Sequence, residues 1–508
     1  MVEEKEGQIT KESDMSQAVA AQTLRKIRFS GLPLTELIPL AENRLPTFRP
    51  VIPHLGYRLT SSKCKLFGHL LRWHERRGYK GSQMNRKRIG MSCGVEMSEG
   101  HPKTQIITAM KPYQRINHWP RTSSLTRKDV IWNNYMVMRA DHKEEYNFMP
   151  ETYVFPREYN KFLAEVPADS ESLWISKPIN LSRGRGIHVF KRKGYKAEID
   201  GPTVISKYVD NPYLINGFKF DMRIYVVLTS INPLRLYVYN QGLGRFSTER
   251  WRRYDANPEG INNNFIHLTN YSVNKENEKF VRSDLAERSG EDASKWLLTD
   301  VHKHMAKKGI NVDELKESIN DLIIKTILTA EAHINIGAQM LIPYRRNCFE
   351  MFGFDVLLDE KLNPWLMEVN LSPSMSCDAP IDLNLKSMVI SDILNMVQVY
   401  NLPGDTQDAQ SKRAWRVLSD QGLITKETVQ TLLKDMQDEE EGKGEFTRIY
   451  PRADSGKYDK YFEQHRPFNH LMIRHLNGED ILTNHGGQEK TVPLKPSQPD
   501  STLFDQHF

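Results

Sequence analysis

One stretch constrains the fold more than any other. CFEMFGFDVLLDEKLNPWLMEVNLSPS, from Cys348 to Ser374, sets two runs of strand character on either side of a polar turn at Asp359, Glu360, Lys361, Leu362 and Asn363. The pattern predicts an antiparallel hairpin. Side chains alternate along a strand, so Glu368 and Asn370 fall on one face, and Asp355 of the partner strand can reach it. Carboxylates set among Phe, Trp, Leu and Val are costly unless they are paired or bind a cation. Two carboxylates and one amide oxygen make a hard, oxygen-only set that suits Mg²⁺, and neither His nor Cys joins them, which argues against zinc. The bland alternative is a hairpin whose polar residues only face water.

Three further clusters carry chemistry-bearing residues. In WISKPINLSRGRGIHVF, from Trp174, a strand bears Lys177, and a Gly-rich loop follows with Ser182, Arg183, Gly184, Arg185 and Gly186. Glycines let backbone N–H groups approach phosphate oxygens, and Lys with Arg supplies the opposing charge. Alone this is weak, since a GRG turn between two strands is common, and it is neither a Walker loop nor a GxGxxG fingerprint. In KFDMRIYVV, the residues Lys219, Asp221, Arg223 and Tyr225 alternate and share a face, as expected of a strand lining a polar cleft. HLTNYSVNK, from His267 to Lys275, adds Thr269, Asn270 and Ser272; its histidine by itself reads as a core or capping residue.

These clusters lie in one α/β body from about Pro112 to Asn401. VISKYV, FDMRIYVVLTS and LRLYVYN read as strands. Val312 to Ala330 reads as a core-facing helix, with Leu315, Ile319, Leu322, Ile323 and Ile327 at helical spacing and Asp313 and Glu314 in its first turn. The expected division is a disordered N-terminus (1–33), an N-terminal domain (34–130), a central subdomain (131–205), a C-terminal subdomain (206–400), a helical extension (401–475) and a disordered tail (476–508). NLPGDTQDAQ reads as a linker, and an acidic cluster stands at Asp438, Glu439, Glu440 and Glu441.

Of the 508 residues, 70 are Lys or Arg and 64 are Asp or Glu, a net charge of +6 that suits an acidic partner without naming one. The excess is concentrated between Arg58 and Arg88, where ten basic residues face only Glu75. This is either a solvated face or an electropositive dock. No RNP, zinc or homeodomain pattern supports a nucleic-acid binder. No run approaches the ~20 apolar residues of a membrane span, and the charged N-terminus has no apolar h-region, so a secretory signal is not expected. Cys64, Cys93, Cys348 and Cys377 form no CxxC pair, which points to a reducing compartment.

Taken together, WISKP, SRGRGI, KFDMRIYV, HLTNYSVNK, FGFDVLLD and PWLMEVNLSPS resemble the tubulin tyrosine ligase-like family, a branch of the ATP-grasp ligases, in order and spacing. RINHWPRTSSLTRKD, from Arg115, resembles the family's entry motif. The likeness runs from about Tyr113 to Tyr400 and is closest to the tubulin polyglutamylases. It implies an α/β (α+β) ATP-grasp core with a small N-terminal domain and a helical C-terminal extension.

The implied reaction needs ATP and Mg²⁺. A Glu side chain of an acidic tubulin tail becomes an acyl phosphate, and free L-glutamate attacks it. By position, the resemblance implies Lys177, Arg183 and Gly184 as phosphate contacts, and Ser206, Lys207, Tyr208 and Val209 as the adenine-facing hinge. Lys219, Phe220, Asp221, Thr269 and Asn270 are further nucleotide contacts. Asp355, Glu368 and Asn370 are the magnesium ligands, and Arg223 stabilises the transferred phosphoryl group or the acceptor carboxylate. Arg245, Tyr271, Ser272 and Lys295 hold the incoming glutamate. Arg183 stands where branch-initiating members carry Arg and elongating ones Gln, which implies initiation. Alternatives are a glycine or tyrosine ligase of the same fold, and a non-enzymatic microtubule-binding pseudoligase. Tubulin tails or microtubules are the expected partners, with no nucleic acid and no membrane. A monomer of the cytoplasm and cytoskeleton is expected, with cilium, flagellum or basal body as further locations.

Overall fold

The structure is a computed structural model and describes residues 28–29, 32–33, 104–110, 115–195, 201–252, 258–283, 293–398 and 426–481. The basic stretch Arg58–Arg88, the linker after Tyr400 and the tail beyond Ile481 lie outside the described residues.

Beyond the short pair β1 (Arg28–Phe29) and β2 (Leu32–Pro33), two antiparallel sheets carry the fold. The smaller consists of β3 (Thr152–Phe155), β4 (Leu173–Pro178), β5 (His188–Lys191) and β6 (Thr203–Lys207), in the order β3-β6-β4-β5. Strand β6 crosses the expected 205/206 division, because Ser206 and Lys207 still pair with Thr152 and Trp174.

The larger sheet is organised on one long strand. β7 (Leu214–Ile215) leads into β8 (Phe218–Ile231), which pairs with β9 (Leu234–Tyr239) at one end and β10 (Leu243–Phe246) at the other. β11 (Lys295–Leu297) extends the sheet beyond β10. On its other side β8 pairs with β12 (Glu350–Leu358), which forms the expected hairpin with β13 (Pro364–Asn370). Asp359 closes that hairpin by accepting from the backbone N–H groups of Lys361 and Asn363, each at 2.9 Å, and from the Trp365 indole at 3.1 Å.

Alternation along β8 explains where a cleft opens. Met222, Ile224, Val226 and Leu228 pack into the main core with the helix Val312–Leu328, whose Leu315, Ile319, Leu322, Ile323 and Ile327 are buried as their spacing predicts. Asn311 caps that helix by accepting from the Glu314 N–H. On the opposite face, Tyr225 and Val227 pack with Ile381, Leu385 and Val389 of the helix Pro380–Met396. Tyr225 therefore belongs to the core, and the polar face expected of KFDMRIYVV stops at Arg223. Phe220 faces the main core and stacks on Phe246, so its side chain takes no part in the cleft.

The expected helical extension also adds a strand to the large sheet. The helix Lys426–Gly442 is followed by β14 (Phe446–Tyr450), which pairs with β9, and then by the helix Pro467–Leu476. Packing continues to the buried Ile481, past the expected boundary at 475. The acidic cluster lies within the first helix, and Glu439 is buried there. Among the described residues no helix is long and apolar enough to cross a membrane.

Candidate functional site

A cleft with a volume of about 130 Å³ opens between the two sheets. Its walls bring together Lys177, Arg183, Gly184, Lys219, Asp221, Arg245, Thr269, Asn270, Asp355, Glu368 and Asn370. Strand register accounts for much of this convergence. Arg223, Asp355 and Glu368 are cross-strand partners in one row over β8, β12 and β13, and Asp221, Arg245 and Lys295 form a parallel row over β8, β10 and β11. A register shift at Asp355/Val356 leaves Met367 unpaired on β13, and both Met367 and Glu368 then line the cleft.

Charge is concentrated in these rows. Arg223 donates from Nε and Nη2 to the two carboxylate oxygens of Asp355 at 2.6 and 3.0 Å. Arg245 bridges Asp221, at 2.7 Å from Nε, and Asp355, at 2.7 Å from Nη2. Thr269 donates to Asp221 at 2.8 Å. Burial alone would raise the Asp355 carboxyl, but the two guanidiniums hold it well below the usual range. Glu368 is pushed up by burial and by the neighbouring Asp355.

Asn370 Nδ2 sits 3.3 Å from Asp355 Oδ2 and 3.2 Å from Glu368 Oε1, so the three side chains meet at one point. Turning the amide over, at the loss of the Nδ2 bond to the Gly353 carbonyl at 3.2 Å, would present three oxygens there, a donor set that fits Mg²⁺. A destabilised carboxylate beside an ionised one is also what a cation would relieve. Gly353, the cross-strand partner of Asn370, is required by space. A Cβ there would stand 2.9 Å from Pro373 Cβ and 3.1 Å from Arg223 Cδ.

Lysines line the same cleft, Lys177 from β4 of the small sheet and Lys219 from β8 itself. Burial pushes Lys177 and Lys219 down to about 8. Lys219 donates to Tyr208 Oη at 2.9 Å and to the His267 carbonyl at 3.1 Å. Lys128, at the start of the helix Lys128–His142, also lines the cleft and donates to the Leu181 carbonyl at 3.2 Å. Sequence reasoning passed over it; its signal was a basic residue in the first turn of a helix, where the dipole disfavours one.

The Gly-rich loop is the β4–β5 hairpin connection. Arg183 and Gly184 both have positive φ, 64° and 77°, and a Cβ on Gly184 would stand 2.6 Å from Val273 Cγ2. Ser272 fastens the loop by donating to the Arg183 carbonyl at 2.7 Å. Of the hinge residues, Ser206 accepts from the Thr152 hydroxyl at 2.8 Å, Lys207 is exposed, Tyr208 is buried and Val209 is half-buried.

The four residues expected around glutamate are only partly gathered. Lys295 lies 4.6 Å from the Tyr271 ring centroid and beside Arg245 across the strands. Arg245, however, is committed to Asp221 and Asp355, and Ser272 is turned to the loop. Lys295 pairs with Asp382 at 2.7 Å, and Asp382 also holds Lys386 at 3.0 Å. Neither Asp382 nor Lys386 was singled out from sequence, although their i,i+4 spacing in an apolar helix was a signal.

The tubulin-tyrosine ligase family profile matches residues 107–409. The human protein named tubulin polyglutamylase TTLL5 is 31% identical over 480 residues, covering 86% of this chain and 36% of the relative. The mouse tubulin monoglutamylase TTLL4 is 32% identical over 436 residues, covering 76% and 36%. The Caenorhabditis elegans tubulin polyglutamylase ttll-5 is 38% identical over 311 residues, covering 58% and 42%. The chain thus spans well under half the length of these curated relatives. It belongs to the tubulin-tyrosine ligase family.

Proposed function

We propose that the chain is an ATP- and Mg²⁺-dependent ligase that joins free L-glutamate to a Glu side chain of an acidic tubulin tail. The observation that carries this reading is the Arg223–Asp355–Glu368 row, whose two carboxylates line one cleft together with Lys177 and Lys219. The names of the relatives supply the substrate. A carboxylate is a poor electrophile. Its oxygen attacks the γ-phosphorus of ATP, ADP leaves, and the resulting acyl phosphate has a leaving group. The amine of glutamate then attacks the carbonyl carbon and releases phosphate.

Two anions must meet for this, and the chain supplies opposing charge. Lys177 and Lys219 face the phosphates, together with Lys128. Gly184 allows close approach of the loop, and Thr269 and Asn270 border the same space. Arg223 spends Nε and Nη2 on Asp355, which leaves Nη1 for the transferring phosphoryl oxygens. Mg²⁺, held by Asp355, Glu368 and Asn370, would supply charge neutralisation at the phosphates. Lys295 over Tyr271 offers a cation to the side-chain carboxylate of glutamate, a group that glycine and tyrosine lack. Arg183 at the cleft mouth supports a preference for starting a branch. The basic stretch Arg58–Arg88 is the proposed dock for the acidic tail, in a monomer working on the cytoskeleton or at a cilium. Charge reversal of Arg76, Arg77 and Lys80 is expected to weaken microtubule co-sedimentation and leave ATP binding intact.

Radiolabelled glutamate, glycine and tyrosine offered in parallel with ATP, Mg²⁺ and tubulin test the donor. Incorporation of glutamate alone is expected, and transfer of glycine or tyrosine instead would contradict the assignment.

A further inference from the structure

His267 has no role in the scheme above, yet it is buried on the cleft wall and its hydrogen bonds fix its chemistry. Nε2 lies 2.9 Å from the Gly260 carbonyl, which can only accept, so Nε2 carries the proton. In the neutral ring Nδ1 is then an acceptor. The group 2.9 Å from Nδ1 is the Tyr208 hydroxyl, which must therefore donate. With its proton so directed, Tyr208 Oη turns lone pairs to Lys219, whose ammonium donates to it at 2.9 Å and lies 4.3 Å from the ring centroid. A second Lys219 N–H goes to the His267 carbonyl. Two of the three ammonium N–H groups are thus assigned, and among the described residues the third is open to a ligand. Burial and the Lys219 charge push the His267 imidazole down to about 4, which keeps it neutral near pH 7.

We infer that His267 is a positioning residue: acting through Tyr208, it holds the Lys219 ammonium in one orientation on the nucleotide-facing wall, and the three side chains work as a single unit. The inference rests on the nucleotide reading of the cleft. It assigns His267 neither proton transfer nor direct contact with the nucleotide.

The test uses the full chain with the non-hydrolysable analogue AMP-PNP and Mg²⁺. His267→Leu and Tyr208→Phe should each weaken analogue binding about fivefold to tenfold. The double variant should be no weaker than the worse single one, since both break the same chain. His267→Gln, whose amide can both accept from Tyr208 and donate to Gly260, should recover most of the affinity. Binding by His267→Leu equal to that of the unaltered chain, or losses that multiply in the double variant, would overturn the inference. A variant-free check is ¹⁵N-histidine NMR of the unaltered protein. The Nε2–H tautomer is expected, and an Nδ1–H tautomer at His267 would overturn the inference without any mutation. Failure of the unaltered chain to bind AMP-PNP would instead overturn the nucleotide reading, and the tautomer measurement separates the two failures.

Discussion

Strand β8 carries buried ion pairs near both ends, and they are built differently. Near Thr229 and Ser230, Arg235 of β9 donates to both oxygens of Glu439 at 2.8 and 2.9 Å, and Thr229 and Tyr237 donate to the same carboxylate. Arg345 and Arg346 reach Asp435 one helical turn earlier, at 2.7 and 3.5 Å. Each of these two carboxylates is met by at least one guanidinium, and the knot ties the helix Lys426–Gly442 to the sheet. At the Asp221–Arg223 end the pairing is uneven. Asp355 takes two guanidiniums, while among the described residues Glu368 has only the Asn370 amide as a hydrogen-bond partner, and burial pushes the neighbouring Lys177 and Lys219 down. Carboxylates that are each met by a guanidinium hold a structure together, whereas an unevenly paired one keeps affinity in reserve for a charged ligand.

The sharpest way to break this comparison is to neutralise one carboxylate at each end. Glu368→Gln is expected to lower ligation more than about 100-fold. Its melting temperature should stay close to that of the parent, because no guanidinium loses its partner. Glu439→Ala should do the reverse. Stranding Arg235 in the interior costs about 3–5 kcal/mol, read as a fall in melting temperature on the order of 10 °C, while the folded fraction keeps its ligase rate. A Glu368 variant that unfolds, or a Glu439 variant that folds normally and is inactive, would erase the distinction.

A smaller effect sharpens the cleft end. Gly353→Ala places a methyl group against Pro373 and Arg223, and the strain should amount to about 1–3 kcal/mol. Displacement of Arg223 should lower kcat more than it raises the KM for ATP. Equal change in both would place Arg223 in ground-state binding.

The smallest predicted effect is one of pH. Lys177 and Lys219 stand at about 8 instead of the ordinary 10.5, lowered by burial. Nucleotide affinity should fall a few-fold as pH rises through about 8 and the ammoniums lose their protons. The contribution of these groups to stability runs the other way. Between about 8 and 10.5 the unfolded chain binds more protons at these lysines than the folded one, so their burial penalty lifts and stability rises. Affinity titrations and thermal melts across pH 7 to 10 should therefore move in opposite directions.

The same contrast explains what could be read before folding. The cleft end was legible because its residues are close in sequence on alternating strands: Asp221 with Arg223, and Glu368 with Asn370 across a short turn from Asp355. Period-two spacing alone assigns such residues to one face. The limits of Tyr225 and Phe220 were not legible, because they depend on where the helix Pro380–Met396 covers β8. The knot was invisible for a related reason. Arg235 and Glu439 are 204 residues apart, and the cluster around Glu439 has the composition of a solvated helix face. The bond from Tyr208 to His267, like that from Lys295 to Asp382, also joins distant segments, so spacing cannot reveal either one.

The central claim is that the unbalanced charge of the cleft serves glutamate ligation on acidic tails. Mass spectrometry of tubulin tails incubated with the full chain, ATP, Mg²⁺ and glutamate tests it most directly. Added glutamyl residues on tail glutamates, absent without ATP and absent with Glu368→Gln, are the predicted result. Unmodified tails under conditions in which the chain is folded and binds nucleotide would contradict it.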